Sequence, residues 1–585
     1  MAAIDIVSSK NRFTTPHFVR RAAIGCAALA FAGFFVVVFL WPLFIVIASS
    51  LGSPPWQHYA ANFETASVLV ILWRTIRMAT IVSLLCLILA YPSALALTRL
   101  SSRLSGLVLL LILLPTVTPY VVRTYGWMAL LGANGPFSSV LRFSGIESGS
   151  LVGTFPGLIL AMVHMLLPLM ILPIFAAMRT IPTSQIAAAQ SLGAVPAEAF
   201  LKVFVPQTVS GVIAGFVLVF VVALGFFITP AMIGGLRETT LAMVIYIYIT
   251  ELFDWGRAAS LAVILLVVVL AMLALAARAT DLWKAYGLPA SPNRRLRDNS
   301  TRPILNALAR LVRVAARHGL LGSKPSRIPT GVLLVTLVIL LSPLIFVVGV
   351  SFQPQRLIAL PLHGLSLRWY EVVLSSSRWI DAAAITLQIA VLAASIALVV
   401  GYTAAVLTRR ASPGIRSGLC VLFLGPQILP LIVLAVGIYG VFIRLGWIGS
   451  WLAVAVAHAS VAVPYVFVNV LNGLARYNSR LDAAAASLGA RGWTIMRRVK
   501  LPLLLPSIAT AAAFAALTSL DELVITLFVS GGDVQTLPIV MYGAAIQDLS
   551  PELAVVGTLL IVLVVGGALL GRLMLSSHTA SPAHP

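Results

Sequence analysis

Three stretches of the chain, Ala22–Leu40, Leu104–Val122 and Pro329–Gly349, contain no charged residue. Each is close to the roughly 20 residues that a helix rising 1.5 Å per residue needs to cross about 30 Å of hydrocarbon. In lipid every backbone N–H and C=O must be satisfied within the protein, so runs of this kind fold as spanning helices. Counting them along the 585 residues gives about twelve spans. The expected fold class is an all-α membrane protein.

Composition agrees: 60% of residues are hydrophobic and 10% are charged, too few charges to cover a soluble surface of this size. The first apolar stretch runs from Ala22 to about Ser50. It outlasts the roughly 7–15 residues of a cleaved signal segment and reads as a retained anchor despite Arg20-Arg21. Cys26, Cys86 and Cys420 fall in apolar runs and suggest neither a disulfide framework nor a metal cluster.

The formal charge of +22 raises the question of nucleic acid. Its distribution points elsewhere. With the N-terminus inside and six spans per half, the cytoplasmic segments hold 29 of the 39 Lys and Arg but 5 of the 17 Asp and Glu. That is the positive-inside asymmetry of membrane proteins, so no nucleic-acid partner is expected. The implied topology is multi-pass, with both termini cytoplasmic.

The chain repeats itself. Ser191-Leu192-Gly193-Ala194 recurs as Ser487-Leu488-Gly489-Ala490, Val205-Pro206 returns as Leu501-Pro502, and Gly234-Gly235 as Gly531-Gly532. The offset is 296 or 297 residues throughout, which marks a duplication. Spans are expected near 22–50, 74–98, 107–131, 151–177, 208–235 and 257–278, and again near 329–351, 382–407, 417–443, 451–473, 504–530 and 552–574. Six is even, so the halves run parallel through the membrane. The expected organisation is a cytoplasmic N-terminus (1–21), a first domain (22–280), a basic linker (281–328), a second domain (329–575) and a cytoplasmic tail (576–585). In the linker, Ile304, Leu308, Leu311, Val312 and Ala315 share one helical face and Arg310, Arg313 and Arg317 another, the pattern of a helix lying on the membrane surface.

The most informative segments follow the fourth span of each half. Ala187-Ala188-Ala189 and Ala483-Ala484-Ala485 each end four residues before a glycine, Gly193 or Gly489, and Pro206 or Pro502 stands 13 residues further on. Alanine forms helices readily and presents almost no side chain, so an alanine-faced helix enters a groove closely. The glycines permit the positive φ of a helix stop. The prolines fit the first turn of the next span. The expectation is a bracket of short helix, turn and short helix, exposed to the cytoplasm.

These segments resemble the EAA loop of ATP-binding-cassette (ABC) importer permeases: E-A-A, three residues, G, nine residues, I-x-L-P. The resemblance implies a fold of two parallel six-helix permease domains, docking of each loop on a cytoplasmic ABC ATPase dimer, and a periplasmic or extracytoplasmic substrate-binding protein. The glutamate of the pattern is missing, since Ala187 and Ala483 stand in its place and Asp482 lies beside the second. Arg497, Arg498 and Lys500 are candidate salt-bridge donors to the ATPase. No G-x-x-x-x-G-K-[ST] loop occurs, so ATP and its magnesium are expected on a separate polypeptide, and this chain is expected to be neither an enzyme nor to bind a cofactor or metal.

Further stretches resemble the spermidine/putrescine type of permease: Val122-Arg123-Thr124-Tyr125-Gly126-Trp127, Gly225-Phe226-Phe227-Ile228-Thr229-Pro230, Ser366-Leu367-Arg368-Trp369-Tyr370 and Ser519-Leu520-Asp521-Glu522-Leu523-Val524. The first half is similar to one permease subunit of that system and the second half to the other, here fused. The same permease type serves 2-aminoethylphosphonate and opines, and fused permeases also import ferric iron. A transporter driven by an ion gradient is the rival class, since it too contains parallel six-helix halves.

Asp521 and Glu522 are expected inside the fifth span of the second half, where a carboxylate costs about 2.5–3.5 kcal/mol. Either one attracts a cationic substrate, or the acids form an interhelical ion pair, for example with Arg123. His164 and His458 read as helix–helix hydrogen-bonding groups. Tyr120, Tyr125 and Trp127 could meet an ammonium through their ring faces, but an interfacial aromatic belt explains them better. Thr229 is a further candidate for the pathway.

Overall fold

The computed structural model describes residues 33–64, 66–143, 149–279, 327–356, 364–547 and 550–579. The surface helix expected in the linker, the start of the first span and both chain ends lie outside them.

Among the described residues the chain is helical, without strands. In the first half the main elements are α1 (Gly33–Leu51), α2 (Ala66–Arg99), α3 (Ser102–Val117), α4 (Tyr120–Leu131), α5 (Phe155–Arg179), α6 (Thr183–Ser191), α7 (Pro196–Leu224), α8 (Ile228–Ile233), α9 (Leu241–Thr250) and α10 (Trp255–Ala279). The second half repeats the order with α11 (Ile328–Ser351), α12 (Ser377–Arg410), α13 (Pro413–Ile428), α14 (Leu431–Leu445), α15 (Trp451–Arg476), α16 (Arg480–Ser487), α17 (Gly492–Leu520), α18 (Val524–Val529), α19 (Leu537–Gln547) and α20 (Pro551–Thr579). Nine helices among the described residues are long and apolar enough to cross a membrane, and two bent pairs raise the number to eleven. The 29-residue α20 stands in the place of the last expected span.

The third span of each half is not straight. α3 meets α4 at 95° and α13 meets α14 at 98°. Prolines cause both corners. Thr118 and Leu429 precede Pro119 and Pro430 and are extended, as a residue before proline prefers. The fifth span is also broken: α7 stops at Leu224 and α17 at Leu520, each followed by a six-residue helix. In the first half Gly225 ends the helix, and Pro230 has no N–H to return to the Phe226 carbonyl.

Two helices were missing from the expected pattern. α9 and α19 have 10 and 11 residues, too short to span the hydrocarbon. Equivalent threonines anchor their first amides: Leu241 N–H donates to Thr75 at 2.9 Å and Leu537 N–H to Thr386 at 2.7 Å.

Each half is built on a trio, α2, α5 and α7 or α12, α15 and α17. The first spans cross over. α1 packs on α14 of the second half as well as on α10, and α11 packs on α2 and α4 of the first half. Glycines make the crossing close. A Cβ on Gly126 would lie 2.9 Å from the Pro343 carbonyl oxygen, and one on Gly437 would lie 2.8 Å from that of Pro42. The described part of each expected domain therefore shares its packing with the other.

Candidate functional site

The broken fifth spans and the bent third spans meet where the halves join. Pro119 begins α4 without a side-chain cap, which leaves the Tyr120 amide open. Asp521 of the second half closes it: Tyr120 N–H donates to the Asp521 carboxylate at 2.8 Å. The Arg123 guanidinium lies over the Tyr120 ring, 4.2 Å from its centroid, with 1% of the residue exposed. Asp521 and Arg123 do not form a direct ion pair, one of the two alternatives for the acids. Backbone geometry at the α4 start takes the carboxylate instead, and Arg123 Nε has no partner.

Glu522 turns the other way. Asp521 ends α17 and Glu522 sits in the break, so neither is inside a continuous helix as expected. One Glu522 oxygen accepts Ile525 N–H at 2.8 Å; the other accepts Thr526 N–H at 3.0 Å and the Thr526 hydroxyl at 3.0 Å, with His458 Nε2 at 3.2 Å. His458 Nδ1 lies 2.8 Å from the Ser519 hydroxyl. Glu522 is thus consumed in holding the break, and at 5% exposure it offers nothing to a solute. Of the two acids, only Asp521 is half-buried and reaches a cavity, lined among others by Val117, Pro119, Leu517 and Met541. His164 Nε2 lies 3.2 Å from the Leu340 carbonyl, so both histidines make helix–helix hydrogen bonds as expected.

The aromatic residues do not form an interfacial belt. Trp127 and Tyr125 are buried; Trp127 packs edge-on to His164 at 5.7 Å and the Tyr125 hydroxyl donates to the Ser550 carbonyl at 3.1 Å. α4 is enclosed because α11 and α19 of the second half pack on it. Thr229 is buried against Thr124 at 3.0 Å. Sequence reasoning missed Tyr246 and Tyr542, at matched positions of α9 and α19. Phe227 lies between them, 4.9 and 6.3 Å from their rings. The 296-residue offset relates the two tyrosines and could have found them.

The brackets are α6 and α16 with the turns behind them. Neither helix has a buried residue. Gly193 and Gly489 have φ of +88° and +82°, the left-handed turn expected of them. Leu192 and Leu488 beside them are 90% and 89% exposed. The second short helix is not separate from the following span. α7 and α17 run on through Pro206 and Pro502, because a π-helical turn, Phe200–Phe204 or Met496–Lys500, comes just before each proline and absorbs its missing hydrogen bond.

Lys500 is not free to meet a partner. It donates to Asp482 at 2.9 Å, and the Tyr477 hydroxyl donates to the other Asp482 oxygen. Burial alone would push the Asp482 carboxyl up, but the bonds from Tyr477 and Lys500 outweigh it and hold it below the ordinary value. Burial and the bond to Asp482 push the Tyr477 hydroxyl up to about 12. Arg497 and Arg498 are exposed.

A family described as the binding-protein-dependent transport system inner membrane component matches residues 84–279 and again 397–575. The chain belongs to this family. The match covers well over half of it, in two copies, so the protein is a fused permease of the type I ABC importer class: a transport component, not a catalytic subunit. It is similar to the spermidine/putrescine transport system permease protein PotC of Haemophilus influenzae, 33% identical over 237 residues, 40% of this chain and 90% of that protein. PotC of Escherichia coli K12 is 30% identical over 226 residues, 38% of this chain and 83% of its own length. PotB of H. influenzae is 31% identical over 218 residues, 37% and 76% respectively. Each relative covers less than half of the fused chain.

Proposed function

We propose that this chain is the complete translocation path of an ATP-driven importer of small cationic amines of the spermidine and putrescine kind. The relatives carry that substrate in their names. The observation that carries the reading here is Asp521, the half-buried carboxylate at the junction of the halves. An ammonium replaces the Tyr120 amide as the partner of the Asp521 carboxylate.

The motor is a separate cytoplasmic ABC ATPase dimer, which binds ATP and magnesium and grips Ala187–Ala189 with Gly193 and Ala483–Ala485 with Gly489. A binding protein delivers solute to the other face. The chain lies in a bacterial inner membrane with both termini cytoplasmic. Closure of the ATPase pair moves both brackets and opens the path outward; hydrolysis returns it inward.

Uptake into proteoliposomes holding the chain, its ATPase and its binding protein tests this. Spermidine and putrescine should accumulate with ATP, and 2-aminoethylphosphonate, opines and ferric iron should not. Accumulation without ATP under a proton or sodium gradient would instead establish an ion-driven carrier.

A further inference from the structure

We infer that the two brackets are fastened by different chemistry, and that Asp482 is the positioning residue that locks the second bracket to its half through an ionic clamp. The inference rests on the reading of the brackets as ATPase grips. Asp482 lies in the first turn of α16, and both its oxygens are taken, by the Tyr477 hydroxyl and by Lys500 at 2.9 Å. Lys500 closes the π-helical turn of α17 and lies 5.4 Å from the Tyr477 ring centroid. Arg409, at the end of α12, donates to the Leu474 and Tyr477 carbonyls at the end of α15. Four elements, α12, α15, α16 and α17, are joined by this one chain of polar contacts.

The 296-residue repeat places Ile181, Ile186 and Phe204 where the second half has Tyr477, Asp482 and Lys500. Phe204 is buried, and Ile181 and Ile186 are partly buried against the core. The first bracket is therefore held by apolar contact, with an exposed amide pair, Gln207 to Gln185 at 2.9 Å, beside it. An apolar trio keeps its grip at any ionic strength. The part-exposed Asp482–Lys500 pair loosens as salt screens it, and loss of either member strands the other and the Tyr477 hydroxyl. Asp482 thus does by charge what Ile186 does by packing. It stands one residue before Ala483 and faces inward, which explains an acid near that position without assigning it to the ATPase.

The test uses the full chain with its ATPase and binding protein in proteoliposomes. Three variants are compared: Asp482→Asn; Lys500→Met; and the triple Tyr477→Ile, Asp482→Ile, Lys500→Phe, which installs the first half's own residues. Each single variant should lower solute taken up per ATP about three- to tenfold while the ATPase still co-purifies. The triple should recover to within about twofold of the parent, which a general loss of structure would not. Raising ionic strength should lower the parent's transport ratio and leave the triple's unchanged. Parent-like coupling in Asp482→Asn, a triple no better than the singles, or equal salt responses would overturn the clamp. A parent chain that holds no ATPase would overturn the bracket reading itself, a different and separable result.

Discussion

Asp521 accepts the Tyr120 N–H at 2.8 Å, so an acid of the second half closes the open start of a helix belonging to the first. The two-fold related position is Gly225. A Cβ there would meet Pro430 at 2.6 Å, and no charge reaches the start of α14 from it. A helix start has open amides and carries about half a positive charge, so it gives a carboxylate oxygen a fixed place to dock. A solute ammonium then competes with a backbone amide for an acid that is already there.

Asp521→Asn separates charge from hydrogen bonding, because asparagine keeps an acceptor for the Tyr120 amide. The chain should insert and bind its ATPase normally. Uptake of a diamine should fall by about tenfold to a hundredfold, the equivalent of roughly 1.4–2.8 kcal/mol, through a higher KM. Unchanged uptake kinetics would exclude the carboxylate as the cation's partner.

Glu522→Gln should act on stability. Its oxygens accept two backbone amides and a hydroxyl, and an amide group in their place points N–H at N–H. A cost of about 1–3 kcal/mol is expected, read as a lower midpoint of thermal unfolding in detergent. His458→Ala should cost a similar amount, and the double variant should fall short of the sum, because both belong to one network.

The repeat, the membrane class and the positions of the brackets were legible because hydropathy and spacing survive in one dimension. Directions were not. Hydropathy assigned 107–131 and 417–443 as single spans, and it cannot register that the chain turns by 95° and 98° at Pro119 and Pro430. The prolines were in view, but proline is common inside these helices; Pro168 and Pro173 lie within the unbroken α5. The break at Asp521 was hidden for another reason. It depends on Glu522 reaching forward to Ile525 and Thr526, a local competition with the helix that no apolar pattern reports. The crossing of α1 and α11 rests on Gly126 and Gly437, whose only signature is the lack of a side chain.

Those crossings give a third prediction. Gly126→Val and Gly437→Val would each drive a side chain into a backbone carbonyl, which cannot yield as a flexible side chain does. Either should lower thermal stability by about 1–3 kcal/mol, and the pair should reduce the yield of folded protein further. Substitution at Gly566, which has no atom within 4 Å of its Cβ position, serves as the control and should leave stability unchanged.

The bracket tie should also set a pH window. Asp482's value is lowered from 3.8, so its contribution is present above that point and is lost as pH falls through the lowered value. Tyr477's value is raised from 10.0, so its contribution is present below that point and is lost as pH rises through about 12. Hydrogen-exchange protection factors over α16 should be flat between roughly pH 5 and 9 and fall outside that range. A transition near neutrality would show that some other group governs the tie.

Gly193 and Gly489 supply the sharpest test of the brackets, because nothing surrounds them. No atom lies within 4 Å of a Cβ at either, so substitution meets only the cost of the left-handed backbone at φ +88° and +82°. That cost is roughly 1–2 kcal/mol for an ordinary residue and less for asparagine, which visits the region readily. The double variant Gly193→Val, Gly489→Val should therefore insert normally and yet transport at least fivefold less solute per ATP, while Gly193→Asn, Gly489→Asn stays close to the parent. The ordering matters more than the size. A bracket that only links two spans would tolerate valine as well as asparagine, since a strained turn facing water relaxes without consequence; a bracket held in a partner's groove has to keep its turn, so transport must follow backbone preference and not side-chain volume.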